Sequence, residues 1–372
     1  MNRPISVAVV GCGYWGPNLA RNFFACPSTD LRMVCDREPS QLERLAKAYP
    51  TAKPVPDFAE VLDDPTIDAV AIATPIGTHA KLALAALDAG KHVLVEKPMA
   101  SSVHDAEEMV RRAEERGQTL MVDHTYVYSN AVRKIKDMLD AGELGDLYFV
   151  DSVRINLGLF QHDVNVVWDL APHDLSIMDY LVGRLPRSLS AFGACHADNE
   201  GEIEDVAYLN LDFGRELLAS FHVNWLSPVK VRHFILGGSR KSIVYNDLES
   251  VEKIKVYDSG VTISHNPEAR RQILVDYRTG DVWSPHISGG EPLQAMVRHF
   301  AECVQEGKRP LTDGETGLRI VRILEAAQRS IKAQGGRITL STPEIDRSPT
   351  ASPLFGYSRP SADADVSSLL HQ

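Results

Sequence analysis

No stretch of the chain approaches the roughly 18 consecutive apolar residues of a membrane-spanning helix. Met1 to Ser6 leads straight into a strand-like run, without a basic segment before an apolar stretch, so no secretory leader is expected either. Cysteine is scarce. The five, at 12, 26, 35, 195 and 303, form no CxxC and no Cys/His ligand spacing, and an odd count spread over 372 residues argues against a disulfide framework. They read as small buried apolar residues, and no metal site is expected. An excess of basic residues is also missing. Thirty-nine Lys and Arg against 50 Asp and Glu leave a net charge of −11, which repels phosphate backbones and anionic lipid surfaces. Nucleic acid and membrane are therefore excluded as expected partners, and a cytoplasmic protein with a small-molecule ligand is expected. No internal repeat is visible.

What is present is enough apolar sequence, 44% of the residues, to build two or three domains at about 100–200 residues each. From Ile5 to about Asp123, short apolar runs alternate with longer amphipathic stretches, as in βαβ units with a parallel sheet. Ile5–Val10, Leu31–Asp36, Asp68–Ala73, His92–Val95 and Leu120–Asp123 are the predicted strands, rich in Val, Ile, Leu and Ala on both faces. Thr78–Ala89 is a predicted helix, with a hydroxyl N-cap at Thr78 and Gly90 as a left-handed stop.

After Gly145 the pattern alternates. Tyr148–Leu157, Ser188–Cys195, Asp205–Phe213, Leu217–Trp225, Val231–Leu236 and Ser242–Tyr245 predict half-buried antiparallel strands. Helices are expected over about Leu170–Leu181, Pro292–Gln305 and Gly314–Gln334. Leu318, Val321, Leu324 and Ala327 share a face of the last, which suits packing on either domain. The expected division is a first domain over 1–125, a second over 126–340, and a Ser/Pro-rich tail over 341–372, extended or disordered.

Gly11-x-Gly13-x-x-Gly16 follows the first strand and opens a helix, the context that makes a glycine-rich turn informative. Gly11 permits the turn, Gly13 lets backbone approach a pyrophosphate, and Gly16 allows close helix–strand packing. Asp36 ends the second strand twenty residues after Gly16, where a carboxylate accepts from the adenosine ribose hydroxyls. That carboxylate would repel a 2′-phosphate and favours NAD. Arg37, free to stack on adenine or to meet a 2′-phosphate, keeps NADP open.

Glu96-Lys97-Pro98 sits at the carboxyl end of a predicted parallel strand, where doubly wound sheets bind ligands. The Lys97 ammonium could steady a reacting oxygen, although position alone leaves a surface lysine equally open. Pro98 fixes the exit from the strand through a bond that is cis at modest cost. Further on, Trp168-Asp169-Leu170-Ala171-Pro172-His173-Asp174 opens the second domain's helix. A proline is tolerated in the first helical turn, which sets Asp169 at or beside the N-cap and His173 one turn on, both facing one cleft. Asp169 reads equally as a cap. His173 reads as a core histidine or as a proton acceptor matched to neutral pH.

Taken together, Val7-Ala8-Val9-Val10-Gly11-Cys12-Gly13-Tyr14-Trp15-Gly16, Ala73-Thr74-Pro75 followed by His79, Glu96-Lys97-Pro98, and Asp169 with His173 in a DxGxHxxD-like region resemble the Gfo/Idh/MocA oxidoreductase family over about residues 4–340. The resemblance implies an α/β protein: a Rossmann domain with a doubly wound parallel sheet over 1–125, then a substrate-binding and oligomerisation α/β domain over 126–340, whose large, open, mainly antiparallel sheet often forms the subunit interface. A homodimer or homotetramer follows from it. It also implies a cofactor shell of Gly11, Gly13, Tyr14, Trp15, Gly16, Asp36, Arg37, Thr74, Pro75, His79, Glu96 and Lys97, with Thr74, Pro75, His79 and Glu96 on the nicotinamide side. The implied substrate contacts are Lys97, Tyr126, Arg154, Asn156, Asp169 and His173. Among these, His173 is the general base, Lys97 steadies the oxygen, and Asp169 is their neighbour. Two positions depart from the family pattern: Ala171 replaces a glycine, and Ser176 stands where an aspartate is common, with Asp174 acidic instead. Arg154-Ile155-Asn156-Leu157-Gly158 and Gly280-Asp281-Val282-Trp283-Ser284-Pro285 resemble the polysaccharide and nucleotide-sugar branch. The expected reaction moves a hydride between a ring carbinol of a sugar or nucleotide sugar, with C3 the candidate carbon, and nicotinamide. The alternatives are a myo-inositol or polyol dehydrogenase and a non-enzymatic NAD-binding regulator.

Overall fold

Buried runs of Val, Ile and Ala form the first sheet: β1 (Ile5–Val10), β2 (Thr29–Cys35), β3 (Lys53–Val55), β4 (Ala69–Ile72), β5 (His92–Glu96) and β6 (Leu120–Asp123). The structure is a computed structural model that describes residues 3–158, 160–161, 163–197, 203–214, 217–263, 275–278 and 280–340. The six strands are parallel in the order β3-β2-β1-β4-β5-β6, so the order of strand addition reverses between β1 and β4 and opens a crevice at their carboxyl ends. Around them lie α1 (Gly16–Ala25), α2 (Pro39–Ala48), α3 (Phe58–Asp63), α4 (His79–Asp88) and α5 (Val103–Arg116). Gly90 does end α4 in a left-handed conformation. The expected hydroxyl cap is corrected: the Thr78 hydroxyl bonds Thr74 Oγ1 and the Pro75 carbonyl, both at 2.7 Å, because a 3₁₀ turn over Ile76–Thr78 precedes the helix.

After α6 (Asn130–Asp140), β7 (Leu147–Leu157) enters the second sheet, followed by α7 (Val166–Val182) and by β8 (Ser188–Ala194), β9 (Val206–Asp212), β10 (Leu218–Asn224), β11 (Leu226–Gly238), β12 (Ser242–Asn246) and β13 (Ile254–Tyr257). A separate ribbon pairs β14 (Gly260–Ile263) with β15 (Val275–Arg278). β16 (Val282–Trp283), α8 (Pro292–Glu306), α9 (Gly314–Lys332) and β17 (Ile338–Thr339) complete the described chain. The sheet runs β16-β13-β12-β11-β7-β10-β9-β8-β17, and every pair but β7/β10 is antiparallel. Val150, Leu209, Ala219, Phe221 and Val223 pack with α7 on one face, whereas Phe149, Phe192, Tyr208 and Leu218 are exposed. The tail expected over 341–372 lies outside the described residues.

One helix differs from expectation. α7 begins a turn earlier than the proline suggested, with Asn165 as its N-cap accepting from the Val167 and Trp168 amides at 3.1 Å, so Pro172 lies inside the helix and Asp169 lies past the cap. An interior proline costs about 3 kcal/mol. Burying a large apolar side chain returns about 1.5–3 kcal/mol, and Val166, Val167, Leu175, Ile177 and Met178 are all buried, so packing wins. α9, expected to suit packing on either domain, serves both cores. Leu318 and Val321 pack with Met99 and Val122 of the first, Leu324 and Ala327 with the second.

Candidate active site

At the crevice, Gly11 takes φ +90°, and a Cβ on it would press on the Ala73 carbonyl. A Cβ on Gly16 would overlap the Gly11 carbonyl oxygen, whereas Gly13 faces open space. The turn thus carries an outward backbone that a phosphate can approach. No side chain caps α1; Pro17 carries no N–H and the Asn18 amide donates to the Trp15 carbonyl at 2.9 Å, so of the first three helical positions Gly16 presents the N–H that a ligand can take. Asp36 Oδ2 accepts from the Cys12 amide at 2.6 Å and Oδ1 from the Glu38 amide at 2.9 Å, which fixes its carboxylate beside the turn. Each oxygen keeps a lone pair for a ribose hydroxyl. Behind the turn Arg44 Nη2 donates to the carbonyls of Cys12 and Gly13 at 2.8 and 3.2 Å, an anchor that sequence reasoning missed. Arg37, Tyr14 and Trp15 are exposed. These residues fit a dinucleotide. Gly16→Ala is expected to abolish NADH binding, measured by fluorescence titration, while NADH affinity within about threefold of the parent would contradict this reading of the turn.

Beyond β4, His79 is buried, with Nδ1 2.9 Å from the Pro98 carbonyl and Nε2 2.7 Å from the Thr74 carbonyl. It ties the Thr74-Pro75 loop to the turn after β5, and burial lowers its pKa. The Lys97–Pro98 bond is cis. Lys97 reaches across to α7, where Nζ donates to the Asp169 carbonyl at 2.8 Å and to Oδ1 at 3.3 Å. That carbonyl lies next to Trp168, whose own acceptor has lost its helical partner to Pro172, so the ammonium meets the helix where the proline opens it. Trp225 Nε1 holds the other Asp169 oxygen at 3.1 Å.

His173, one turn on, packs edge-on against Tyr126 with ring centres 5.1 Å apart. Burial first, then the charges of Lys97, Arg154 and Arg232, holds its pKa well below the ordinary histidine value, so the ring is neutral at pH 7. Arg154 and Asp174 form a buried bidentate pair at 2.9 and 2.7 Å, and the guanidinium lies 4.7 Å from the Tyr126 ring centre. Arg232 Nη1 bonds the Tyr126 hydroxyl at 2.9 Å and Asp247 Oδ2 at 3.0 Å, while Lys253 lies 3.7 Å from Asp247 Oδ1.

One cavity of about 650 Å³ gathers Tyr14, Trp15, Glu96, Lys97, Tyr126 and His173, with Asp123, Arg232, Asp247 and Lys253 also in its wall. Asp169 and Arg154 stand behind that wall, each bonded to a residue that lines it, and Asn156 is not among the lining residues. Asp123, Arg232, Asp247 and Lys253 were missed. Arg232 becomes visible only through its β7 partner, Arg154, in the sheet register. Among the described residues no group of three or more His, Cys, Asp or Glu side chains is placed to hold a metal ion, and no helix is long and apolar enough to cross a membrane.

Two family models match, an oxidoreductase NAD-binding Rossmann fold over residues 5–124 and an oxidoreductase C-terminal alpha/beta domain over 136–340. The chain belongs to the Gfo/Idh/MocA oxidoreductase family. Membership makes it an NAD(P)-dependent oxidoreductase of a sugar and polyol family. Scyllo-inositol 2-dehydrogenase (NADP(+)) IolW of Bacillus subtilis is 26% identical over 352 residues, 88% of this chain and 95% of the relative. The NAD(+) scyllo-inositol 2-dehydrogenase of the same organism is 27% identical, covering 84% and 89%. In fold, this Gfo/Idh/MocA protein matches the WlbA dehydrogenase of Bordetella pertussis, solved with NADH and UDP-GlcNAcA, at TM-score 0.77 and 22% identity, over 92% of this chain and 99% of that one.

Proposed function

We propose that the chain oxidises a ring carbinol of a sugar or nucleotide sugar, C3 being the candidate carbon, with Lys97 and His173 acting on one hydroxyl. The observation that carries this reading is the shared cavity, in which an ammonium from the first sheet and a neutral imidazole from α7 stand in one wall. His173 takes the hydroxyl proton and Lys97 hydrogen-bonds the oxygen as negative charge develops there. Bound NAD(P)⁺ supplies the hydride acceptor. Asp169, held by Trp225, aims the ammonium, and Tyr126 backs the imidazole.

Arg232 and Lys253 share one carboxylate, Asp247, on the wall that also bears Lys97. That surplus of positive charge supports a substrate bearing an anionic group, such as a nucleotide diphosphate, over a neutral inositol. NAD⁺ and NADP⁺ reduction against UDP-sugars, free sugars and inositols tests the proposal. NADH formation from a UDP-sugar, inhibited by free UDP, is expected. Turnover of an inositol with no effect of UDP would instead place the chain with the inositol dehydrogenases. The Asp36 carboxylate, fixed beside the glycine turn, leads us to expect a lower dissociation constant for NADH than for NADPH. Tighter NADPH binding would reverse the cofactor assignment and shift the adenosine contact to Arg37.

A further inference from the structure

We propose that Glu96 and Asp123 hold a single proton between them, and that Asp123 is a positioning residue which, through Glu96, limits the negative charge facing Lys97. The two residues are direct partners in the parallel register of β5 and β6, so both carboxyls leave the same end and the same face of the sheet. Both are buried, at 7% and 4% exposure, and both line the cavity. The nearby cation is Lys97, whose ammonium bonds Asp169 across the crevice; its charge draws both carboxyls down without cancelling the effect of burial. Glu96 Oε2 accepts the Lys97 amide at 3.2 Å and Asp123 Oδ1 accepts the Thr125 hydroxyl, but Glu96 Oε1 is buried without a donor. A proton shared between the carboxyls is the missing donor, since two carboxylates this close and this dry do not both ionise. Burial pushes both carboxyls up, and the charge of Asp123 adds to the push on Glu96.

The surrounding groups leave that balance intact. His124, next along the chain, is driven down to about 3 by burial and by Lys97, so it adds no charge at neutral pH. Tyr128 is buried with its phenol neutral, and His173 across the cavity is neutral as well. Of the other charged groups in the wall, Arg21 is paired with Glu291, while Arg232 and Lys253 share the one carboxylate of Asp247 and leave one positive charge over. The pair therefore carries one negative charge beside Lys97 at neutral pH and two when its proton leaves. The second charge would compete with the developing oxyanion for the ammonium.

The consequence for turnover rests on the role proposed for Lys97, but the shared proton does not. Infrared spectra of the substrate-free protein at pH 7 should show a protonated-carboxyl band that is moved or lost in Asp123→Asn and in Glu96→Gln alike, since each substitution removes one of the two groups that hold the proton. Absence of the band in the parent, or a band unchanged in either variant, overturns the pair whatever the substrate proves to be. With a turned-over substrate, kcat/KM of the parent should fall on the alkaline side as the pair loses its proton, and Asp123→Asn should remove that fall. An alkaline limb unchanged in Asp123→Asn would overturn the link to Lys97.

Discussion

Replacing Lys97 by methionine is expected to lower turnover by about 10²–10³-fold, the loss seen when one preorganised donor to a developing oxyanion is removed. Methionine keeps much of the aliphatic stem that fills the gap between the first sheet and α7 and deletes only the ammonium. Because Nζ also holds the Asp169 carbonyl and carboxylate, the variant loses the donor and part of its support together, and Asp169 retains Trp225. The dissociation constant for NADH should stay within about threefold, since the glycine turn and Asp36 lie on other elements. Lys97→Arg should not restore the rate. A planar fork does not reproduce a point ammonium aimed at one oxygen. A methionine variant that kept most of its turnover would remove Lys97 from the chemistry.

Substituting His173 by alanine should cost about 10²–10⁴-fold in the oxidative direction, the usual contribution of a positioned general base. The pH dependence separates this role from simple packing. Burial and the cations Lys97, Arg154 and Arg232 lower the pKa of His173, so the basic form dominates at neutral pH and is lost only as the pH falls through a value below the ordinary histidine range. The oxidation rate should therefore have an acid limb displaced below that range. The alanine variant should be slow and should lack that limb. A limb persisting unchanged in the variant would belong to another group.

The βαβ half of the fold was legible because its strands are short, buried on both faces and separated by amphipathic helices. β3 escaped because its three residues, Lys53–Val55, include a proline and leave two side chains exposed at the sheet edge. The start of α7 was hidden for a different reason. A rule about proline outweighed the apolar pair Val166-Val167, whose burial stabilises the turn that the proline was taken to exclude.

In the candidate site, Gly11, Gly13, Gly16, Asp36 and Lys97 announce themselves because strand ends and turns fix their positions locally. Arg232 and Asp247 do not. Arg232 meets Tyr126, and Asp247 meets Arg232, through the pairing of β11 with β7 and β12, a register between segments far apart in sequence. Asp123 was nearer to hand. It ends a predicted strand as Glu96 follows another, but only the observed neighbouring of β5 and β6 makes the two a pair.

A crystal structure of the protein with NADH bound tests the account most directly. The pyrophosphate should lie on the Gly11–Gly16 turn, and the nicotinamide ring should enter the cavity with Lys97 and His173 both facing the space over its C4. A nicotinamide lodged away from that cavity, or one that leaves the two side chains on opposite sides of the protein wall, would contradict the dehydrogenase mechanism proposed for this chain.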